Sequence, residues 1–307
     1  MLKKIRENIR KVMIGNGHTI DLVLTCMLAK GHILLEDVPG TGKTVMAKAL
    51  AKSVEGKFGR ISFTPDMLPS DVTGLNYFDA AKSQFVFSEG PVFSNILLAD
   101  EINRATPKTQ SSLLECMAEQ QVTVDGVTRK LEDPFLVIAT ENPLENLGTF
   151  PLPEAQLDRF LMRLSMEPLT KEQELSMVER FLVEEPLQQL ESVCSGEDIA
   201  RLQEECRRVK IHEDLKGYMV RIIHATRSCG RTACGASPRS TLAFVRAAQG
   251  YAMVCGRDFV TPEDIKAVAV PVLAHRLVLA VSGDGNKTAE KIIEDILASE
   301  PVPTEKW

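Results

Sequence analysis

Aromatic side chains are scarce: they make up 5% of the 307 residues, with a single Trp and three Tyr. A surface that grips unpaired bases relies on stacking platforms, so this shortage counts against a nucleic-acid binder. An excess of one charge sign is missing too. The chain has 36 Lys and Arg against 42 Asp and Glu, a net charge of −6. On each side of Leu169/Thr170 lie 18 basic and 21 acidic residues, so each part carries −3. Neither part is a basic module, and no charged tail exists, so bulk electrostatics offers nothing toward DNA, RNA or anionic lipid. No apolar run approaches the roughly 18 residues that a membrane span needs. The start, MLKKIRENIRKVMIGNG, has basic residues but no uninterrupted apolar stretch, and no signal peptide is expected from it. Paired cysteine motifs are also lacking. Cys26, Cys116, Cys194, Cys206, Cys229, Cys234 and Cys255 are scattered, none in a C-x-x-C pair, and the five His are equally dispersed. A zinc site or disulfide framework is not expected; the cysteines read as small buried hydrophobes in a reducing cytoplasm.

What is present is the composition of an ordinary globular protein, 44% hydrophobic and 25% charged, long enough for two domains. Ile5, Ile9, Val12 and Met13 fall at helical spacing and predict a short amphipathic helix. Up to about residue 169, short apolar runs alternate with helical patterns. The runs are His32–Leu35, Lys57–Phe63, Asn95–Ala99, Phe135–Thr140 and Phe160–Met166. Five strands separated by helices predict an α/β domain with a largely parallel sheet. Two hairpins interrupt it. One alternates from Gln121 to Leu131 around Asp125-Gly126, a pair suited to a type I′ turn, and the other joins Leu75–Phe78 to Gln84–Phe87. From Thr170 onward the patterns are helical: Lys171–Val183, Gly196–Val209, Leu215–Thr226, Ser237–Val254 and Thr261–Leu279. Thr170 with Gln173, and Thr261 before Pro262, are matching caps. A mostly helical second domain, 170–307, is therefore expected after a core at 1–169.

The most informative stretch runs from His32 to Thr44, HILLEDVPGTGKT, and leads into a helical pattern at Val45–Ser53. A strand that enters a glycine loop and opens a helix is the setting of a phosphate-binding loop. Gly40 and Gly42 let backbone N–H groups curl around phosphates, and the helix N-terminus adds partial positive charge. Lys43 would reach the β and γ phosphates, and Thr44 would offer its hydroxyl to Mg²⁺. Asp37 stands where such loops begin with Gly, a position where Asp tolerates a turn.

A second strand, Ile96–Ala99, ends in Asp100 and Glu101. Two adjacent carboxylates at the end of a buried strand are costly to desolvate unless a cation or water meets them. Asp100 would hold Mg²⁺ and Glu101 would polarise an attacking water. After the next strand, Asn142 precedes Pro143; it could bond a γ-phosphate and the water, or form a plain Asx turn. Glu154–Phe160 reads as an amphipathic helix bearing Arg159. Ser237-Pro238 starts a long helix and puts Arg239 in its first turn, where a cation opposes the dipole and calls for an anion partner such as a phosphate.

With these pieces assembled, the sequence resembles the MoxR family of AAA+ ATPases. The matching text is LLEDVPGTGKT, RISFTPDMLPSDVTG, GPVFSNILLADEINRATPKTQSSLLECMAEQQVTVDG, VIATENP, GTFPLPEAQLDRFLMRL, GASPRSTLAFVRAA and VTPEDIKAVAVPVLAHRL, nearly the whole chain. The resemblance implies a five-stranded P-loop core with a helical lid, built into a ring that is usually hexameric. It implies ATP and Mg²⁺ as the ligands. Pro39, Gly40, Thr41, Gly42, Lys43, Thr44 and Val45 then belong to the Walker A segment, with Asp100 and Glu101 the Walker B pair. Thr44 and Asp100 would be the metal ligands. Asn142 matches sensor 1, and Arg239 matches sensor 2. Arg159 matches the arginine finger given to a neighbour, with Arg163 as the fallback. Val12–Asn16, including Ile14 and Gly15, would lie against adenine. Residues 71–93 match the helix-2 insert, and 119–131 the hairpin before sensor 1. Departures are Asp37 for Gly, Glu141 where Gln is frequent, and Asn16 where Gln is frequent.

The function implied is ATP hydrolysis by a cytoplasmic ring that remodels, matures or activates protein clients, often with a von Willebrand factor A domain partner. The rival from another class is a nucleic-acid motor, since related rings carry the same insertions; the charge balance and the few aromatics count against it. A second rival is a nucleotide-gated assembly switch with little turnover, against which the intact Glu101 argues.

Overall fold

The computed structural model describes residues 1–36, 40–142, 148–183, 185–280 and 285–303. Helix α1 (Leu2–Val12) and α2 (Gly17–Leu28) precede β1 (Ile33–Glu36) and α3 (Lys43–Ser53). Then come β2 (Phe58–Ser62), α4 (Pro69–Thr73), β3 (Gly74–Asp79), β4 (Gln84–Glu89) and β5 (Ile96–Asp100). Next are α5 (Pro107–Glu119), β6 (Gln121–Val124), β7 (Val127–Lys130), β8 (Leu136–Glu141), α6 (Glu154–Leu157) and β9 (Met162–Leu164). The rest is α7 (Lys171–Val183), α8 (Gly196–Cys206), α9 (Glu213–Ser228), β10 (Thr232–Cys234), α10 (Pro238–Val254), α11 (Pro262–Leu273), β11 (Val278–Leu279) and α12 (Gly285–Ser299).

The main sheet has the order β2-β5-β8-β1-β9, the five strands expected. Its central strands carry Ile33–Leu35, Ile96–Ala99 and Leu136–Ala139, all buried. Such unbroken apolar runs suit strands covered on both faces, which is why their sequences do not alternate. The pairing of β2 with β5, β5 with β8 and β8 with β1 is parallel, and the register sets Ser62 beside Asp100 and Glu36 beside Glu141. All four carboxyl ends thus open on one edge, where α/β folds place their ligands. The two inserted hairpins form as expected, β3 with β4 and β6 with β7, and Asp125 and Gly126 both take positive φ at the second turn.

Packing groups the chain into two compact units that are not continuous in sequence: 1–20, 32–152 and 165–200 in the first, 21–31, 153–164 and 201–307 in the second. In the first, α1 buries Leu2, Ile5, Ile9 and Val12, and Asn8 donates to Ser53 Oγ at 2.9 Å and to the Glu191 carbonyl at 2.9 Å. Thr170 and Gln173 exchange the reciprocal cap bonds their spacing predicts. In the second, the Ser237 hydroxyl caps α10, and Thr261 with Asp264 caps α11.

Several expectations need correction. The helix expected over Thr261–Leu279 stops at Leu273, turns once as a 3₁₀ helix (Ala274–Arg276) and becomes strand β11, which pairs antiparallel with β10. Pro271, inside its last turn, lacks the N–H that would continue the ladder, and Arg276 draws on the Val272 carbonyl. Helix α12 was not anticipated. The helix expected over Glu154–Phe160 is a single turn, Glu154–Leu157, with none of its residues buried. Its continuation is captured by Arg276, whose side chain is 3% exposed: Nε donates to Asp158 Oδ1 at 2.7 Å, and the terminal nitrogens donate to the carbonyls of Phe160 (2.6 Å) and Leu161 (3.1 Å). The cysteines divide. Cys26, Cys116, Cys194 and Cys206 are buried as expected, while Cys234 and Cys255 are exposed and Cys229 half-buried. Burial pushes the Cys116 thiol up to about 12 and those of Cys194 and Cys206 to about 11.

His32, just ahead of β1, is fully enclosed. Its Nδ1 accepts from the Val137 N–H at 3.0 Å, which leaves Nε2 to donate to the Met117 carbonyl at 3.1 Å and fixes the neutral tautomer. Burial lowers its pKa from 6.5 to about 4. The unfolded chain therefore takes up a proton that the folded one refuses. Stability from this group is complete above pH 6.5 and is lost as the pH falls toward 4, about 2 kcal/mol of it by pH 5. Urea unfolding at pH 7 and pH 5 should show that loss, reduced by the same amount in His32→Gln; an equal pH dependence in both proteins would refute it.

Candidate functional site

The carboxyl edge of the sheet encloses a cavity of about 440 Å³. Its described lining comes from four places: Gly40 and Gly42–Val45 after β1, Arg60 and Ser62 on β2, Asp100 and Glu101 at the end of β5, and Thr140–Asn142 at the end of β8. The sequence motifs thus meet in one space. Gly40 and Gly42 have φ of 89° and 93°, which a side chain would strain. Nothing lies within 4 Å of where a Cβ at Gly40 would stand, so the backbone there is open to a ligand. Gly42 is the N-cap of α3, whose first turn presents Lys43, Thr44 and Val45. Asp37 and Pro39, and Pro143 beyond Asn142, lie outside the described residues.

Asp100 and Glu101 face different partners. Asp100 Oδ2 accepts from Arg60 Nε at 2.8 Å, and its Oδ1 lies 3.5 Å from Thr140 Oγ1. Glu101 has the left-handed backbone φ 56°, ψ 50°, uncommon outside glycine and often found at functional sites. Its N–H donates to Thr140 Oγ1 at 2.9 Å, and its carboxylate meets Arg104 Nε at 3.2 Å. Asn142 is buried at the end of β8. Among the described residues no group of three His, Cys, Asp or Glu could grip a metal ion. Mg²⁺ does not require one, since it keeps waters and takes one or two protein ligands plus phosphate oxygens. Thr44 and Asp100 in the same cavity fit that sparse ligand set.

A second cavity of about 340 Å³ shares Gly40, Gly42 and Val45 with the first. Its apolar walls are Val12, Met13 and Ile14 on one side and Pro168, Leu169, Met177 and Phe181 on the other. Buried Asn16 joins these walls: its Nδ2 donates to the Glu167 carbonyl at 3.2 Å, and its Oδ1 accepts from the Glu167 N–H at 2.7 Å. An apolar slot beside a phosphate-sized polar one suits a flat base and its phosphates. Ile14 lines it. Gly15 does not; a Cβ there would meet Leu169 at 2.9 Å.

All described lining residues of both cavities belong to the first compact unit, whereas Arg159, Arg163 and Arg239 belong to the second. The anion that Arg239 was expected to need is, in this structure, the Asp158 carboxylate: Arg239 Nε lies 3.7 Å from Oδ2, while Oδ1 is held by Arg276. Arg159 follows directly in the segment that Arg276 holds. Sequence reasoning missed Arg60, Arg104, Met177 and Phe181. The first two lay within stretches that resemble the family but carried no role there. The last two were visible as apolar positions of α7, with no sign of which face would line a cavity.

Residues 32–162 match the profile of the ATPase family associated with various cellular activities (AAA), and residues 224–296 match the AAA lid domain. The chain is 47% identical to YeaC of Bacillus subtilis, with 100% of this chain and 96% of that protein aligned. It is 40% identical to Chaperone MoxR1 of Mycobacterium tuberculosis over 95% of this chain and 79% of the relative. Protein MoxR of Paracoccus denitrificans is 31% identical over 95% and 93%. A crystal structure from Cytophaga hutchinsonii superposes with a TM-score of 0.90 at 40% identity, covering 98% of this chain and 94% of that one. Identity of this extent, added to a cavity that gathers the glycine loop and the paired carboxylates, shows that the chain belongs to the MoxR family of AAA+ ATPases.

Proposed function

We propose that this protein hydrolyses ATP in a cytoplasmic ring, hexameric as is usual for such ATPases, and couples turnover to the remodelling or activation of a protein client. The observation that carries the reading is the meeting of Gly40, Gly42–Thr44, Asp100–Glu101 and Asn142 around one cavity. The core is 1–169, with the insert at 71–93 and the hairpin at 119–131, and the lid is 170–307. Family matches at 32–162 and 224–296 support a core followed by a lid; the packing units, which put 165–200 with the first unit, divide the region between them differently.

In this reading the base lies against Ile14, and Gly40–Val45 cradle the phosphates with Lys43 as the point charge. Thr44 and Asp100 hold Mg²⁺, which offsets charge on the phosphates. Glu101 takes a proton from the attacking water, and Asn142 orients that water against the terminal phosphate. Arg239 answers to the nucleotide of its own chain. Arg159, or Arg163 in its place, serves a neighbour's nucleotide. Glu101→Gln should keep ATP binding and lose roughly 10²- to 10⁴-fold in turnover, the range for removing a general base. Unchanged steady-state hydrolysis would sink the assignment.

A finger supplied in trans contributes on the order of 10³- to 10⁵-fold in rate. Specific activity should therefore rise with protein concentration, and Arg159→Ala should bind ATP yet turn over slowly. Mixing Arg159→Ala with Lys43→Ala should restore part of the activity, because one keeps a working pocket and the other keeps the finger. Full activity of Arg159→Ala, or a rate independent of concentration down to monomer, would refute the shared site.

The β3–β4 hairpin supports a protein client. It exposes Leu75, Tyr77, Phe78 and Phe85, the last at 74%, with Phe78 and Phe85 edge to face at 5.5 Å. Exposed apolar clusters of this kind mark interaction surfaces. Between Gly74 and Glu89 the charges are Asp79, Glu89 and one Lys82, a poor match for a phosphate backbone. A purified client with a von Willebrand factor A domain should change the ATPase rate, and duplex or single-stranded DNA should not. Strong DNA stimulation with a steep salt dependence would instead favour a nucleic-acid motor.

A further inference from the structure

The residues lining the larger cavity include three carboxylates, Asp100, Glu101 and Glu141, and two cations, Lys43 and Arg60. Lys43 is accounted for by the glycine loop. Arg60 belongs to none of the motifs. It sits on β2, in register with Leu98 and two residues ahead of Ser62, which pairs with Asp100. Alternation along a strand puts Arg60 and Ser62 on one face, and both reach the cavity. Its side chain is half exposed, at 51%, and its Nε–H is spent on Asp100 Oδ2 at 2.8 Å.

An ion pair whose cation is half exposed contributes little to stability, so the pairing alone gives Arg60 no strong structural purpose. Its position gives it another one. A guanidinium is a rigid fork with donors on two sides, so it can hold a carboxylate through Nε and still present both terminal amino groups to a second anion. Among the described residues that line this cavity, Lys43 and Arg60 carry the positive charge beside three carboxylates, and a bound polyphosphate can draw on both. The extra charge matters most for the phosphate that distinguishes ATP from ADP. We propose that Arg60 is a further nucleotide-contacting residue: its terminal amino groups bind the terminal phosphate while its Nε fixes the Asp100 carboxylate, so that the site prefers ATP over ADP. The inference rests on the ATP reading of this cavity.

Equilibrium binding of fluorescent ATP and ADP analogues, with Mg²⁺ present, tests it in the full-length chain. Arg60→Ala should weaken ATP about tenfold and ADP less than twofold, as expected for losing a charge-assisted contact to one phosphate. Arg60→Lys keeps the charge on the strand but cannot bridge two anions, and should recover only part of the preference. It also keeps the test alive if the alanine variant is poorly folded. Equal losses for ATP and ADP, or an unchanged ratio in both variants, would overturn the assignment. Lys43→Ala separates the two levels. If it abolishes binding of both analogues while the Arg60 variants keep the ATP preference, only the role of Arg60 fails. If it leaves both analogues bound, the ATP reading of the cavity falls and this inference with it.

Discussion

Charge cannot sit inside the central strands, and much of the site follows from that exclusion. β1, β5 and β8 are covered on both faces, and Ile33–Leu35, Ile96–Ala99 and Leu136–Ala139 leave no room for a polar side chain. Each buried leucine or isoleucine contributes about 2 kcal/mol to keeping the strands together. Polar groups must then emerge where the strands stop. Because the strands are parallel and in matched register, they stop on the same edge, and Ser62, Asp100, Glu36 and Glu141 arrive there side by side. Gly40 and Gly42–Val45 line the same cavity. Hydrophobic burial in the middle of the sheet is thus what concentrates carboxylates and backbone donors at its end.

The second unit depends on one buried cation. Removing a guanidinium from water costs several kcal/mol, and only a full set of acceptors offsets that. Arg276 finds them in the Asp158 carboxylate and in the carbonyls of Phe160, Leu161 and Val272. All of those acceptors except Val272 come from one short segment, so satisfying Arg276 dictates its path and ends α6 after a single turn. His275, next in sequence, bonds the same Phe160 carbonyl at 3.1 Å, and burial holds its pKa well below the usual value. Arg159 is therefore carried on a segment whose backbone is fixed by lid residues 115 or more positions later in the chain.

How far the sequence could be read follows from the range of the forces involved. Strands β1, β2, β5, β8 and β9, the two hairpins and the caps at Thr170, Ser237 and Thr261 depend on neighbours a few residues away, and the sequence carried all of them. The glycine loop and the Asp100–Glu101 pair were readable because phosphate chemistry demands those residue types in order. What escaped depends on distant partners. Nothing near Arg60 in the chain says that it will lie beside Asp100, 40 residues on, and nothing near Asp158 says that it will be shared by Arg239 and Arg276. The end of α11 shows the same limit. Its apolar pattern runs on to Leu279, but Pro271 and the demands of Arg276 stop the helix six residues earlier. Met177 and Phe181 looked like one more apolar face until the Asn16–Glu167 bonds set the wall opposite them.

Glu101 brings these threads together. Its left-handed backbone costs on the order of 1–3 kcal/mol in a residue that is not glycine, and such a cost persists only where surrounding contacts over-determine it. The contact is the hydroxyl of Thr140, which takes the Glu101 N–H and lies near the Asp100 carboxylate at the same time. Thr140 is two residues before Asn142 at the end of β8. The strand that ends in Asn142 therefore also holds the turn that aims Glu101, and β5 and β8 are locked in register through Ala99 and Ala139 immediately beneath. A shift of Asn142 along β8 would pull on Thr140 and so on the strained turn at Glu101. The three side chains assigned to the metal, the water and the terminal phosphate are in this way mounted on one rigid pair of strands, and their geometry is set by the apolar packing below them.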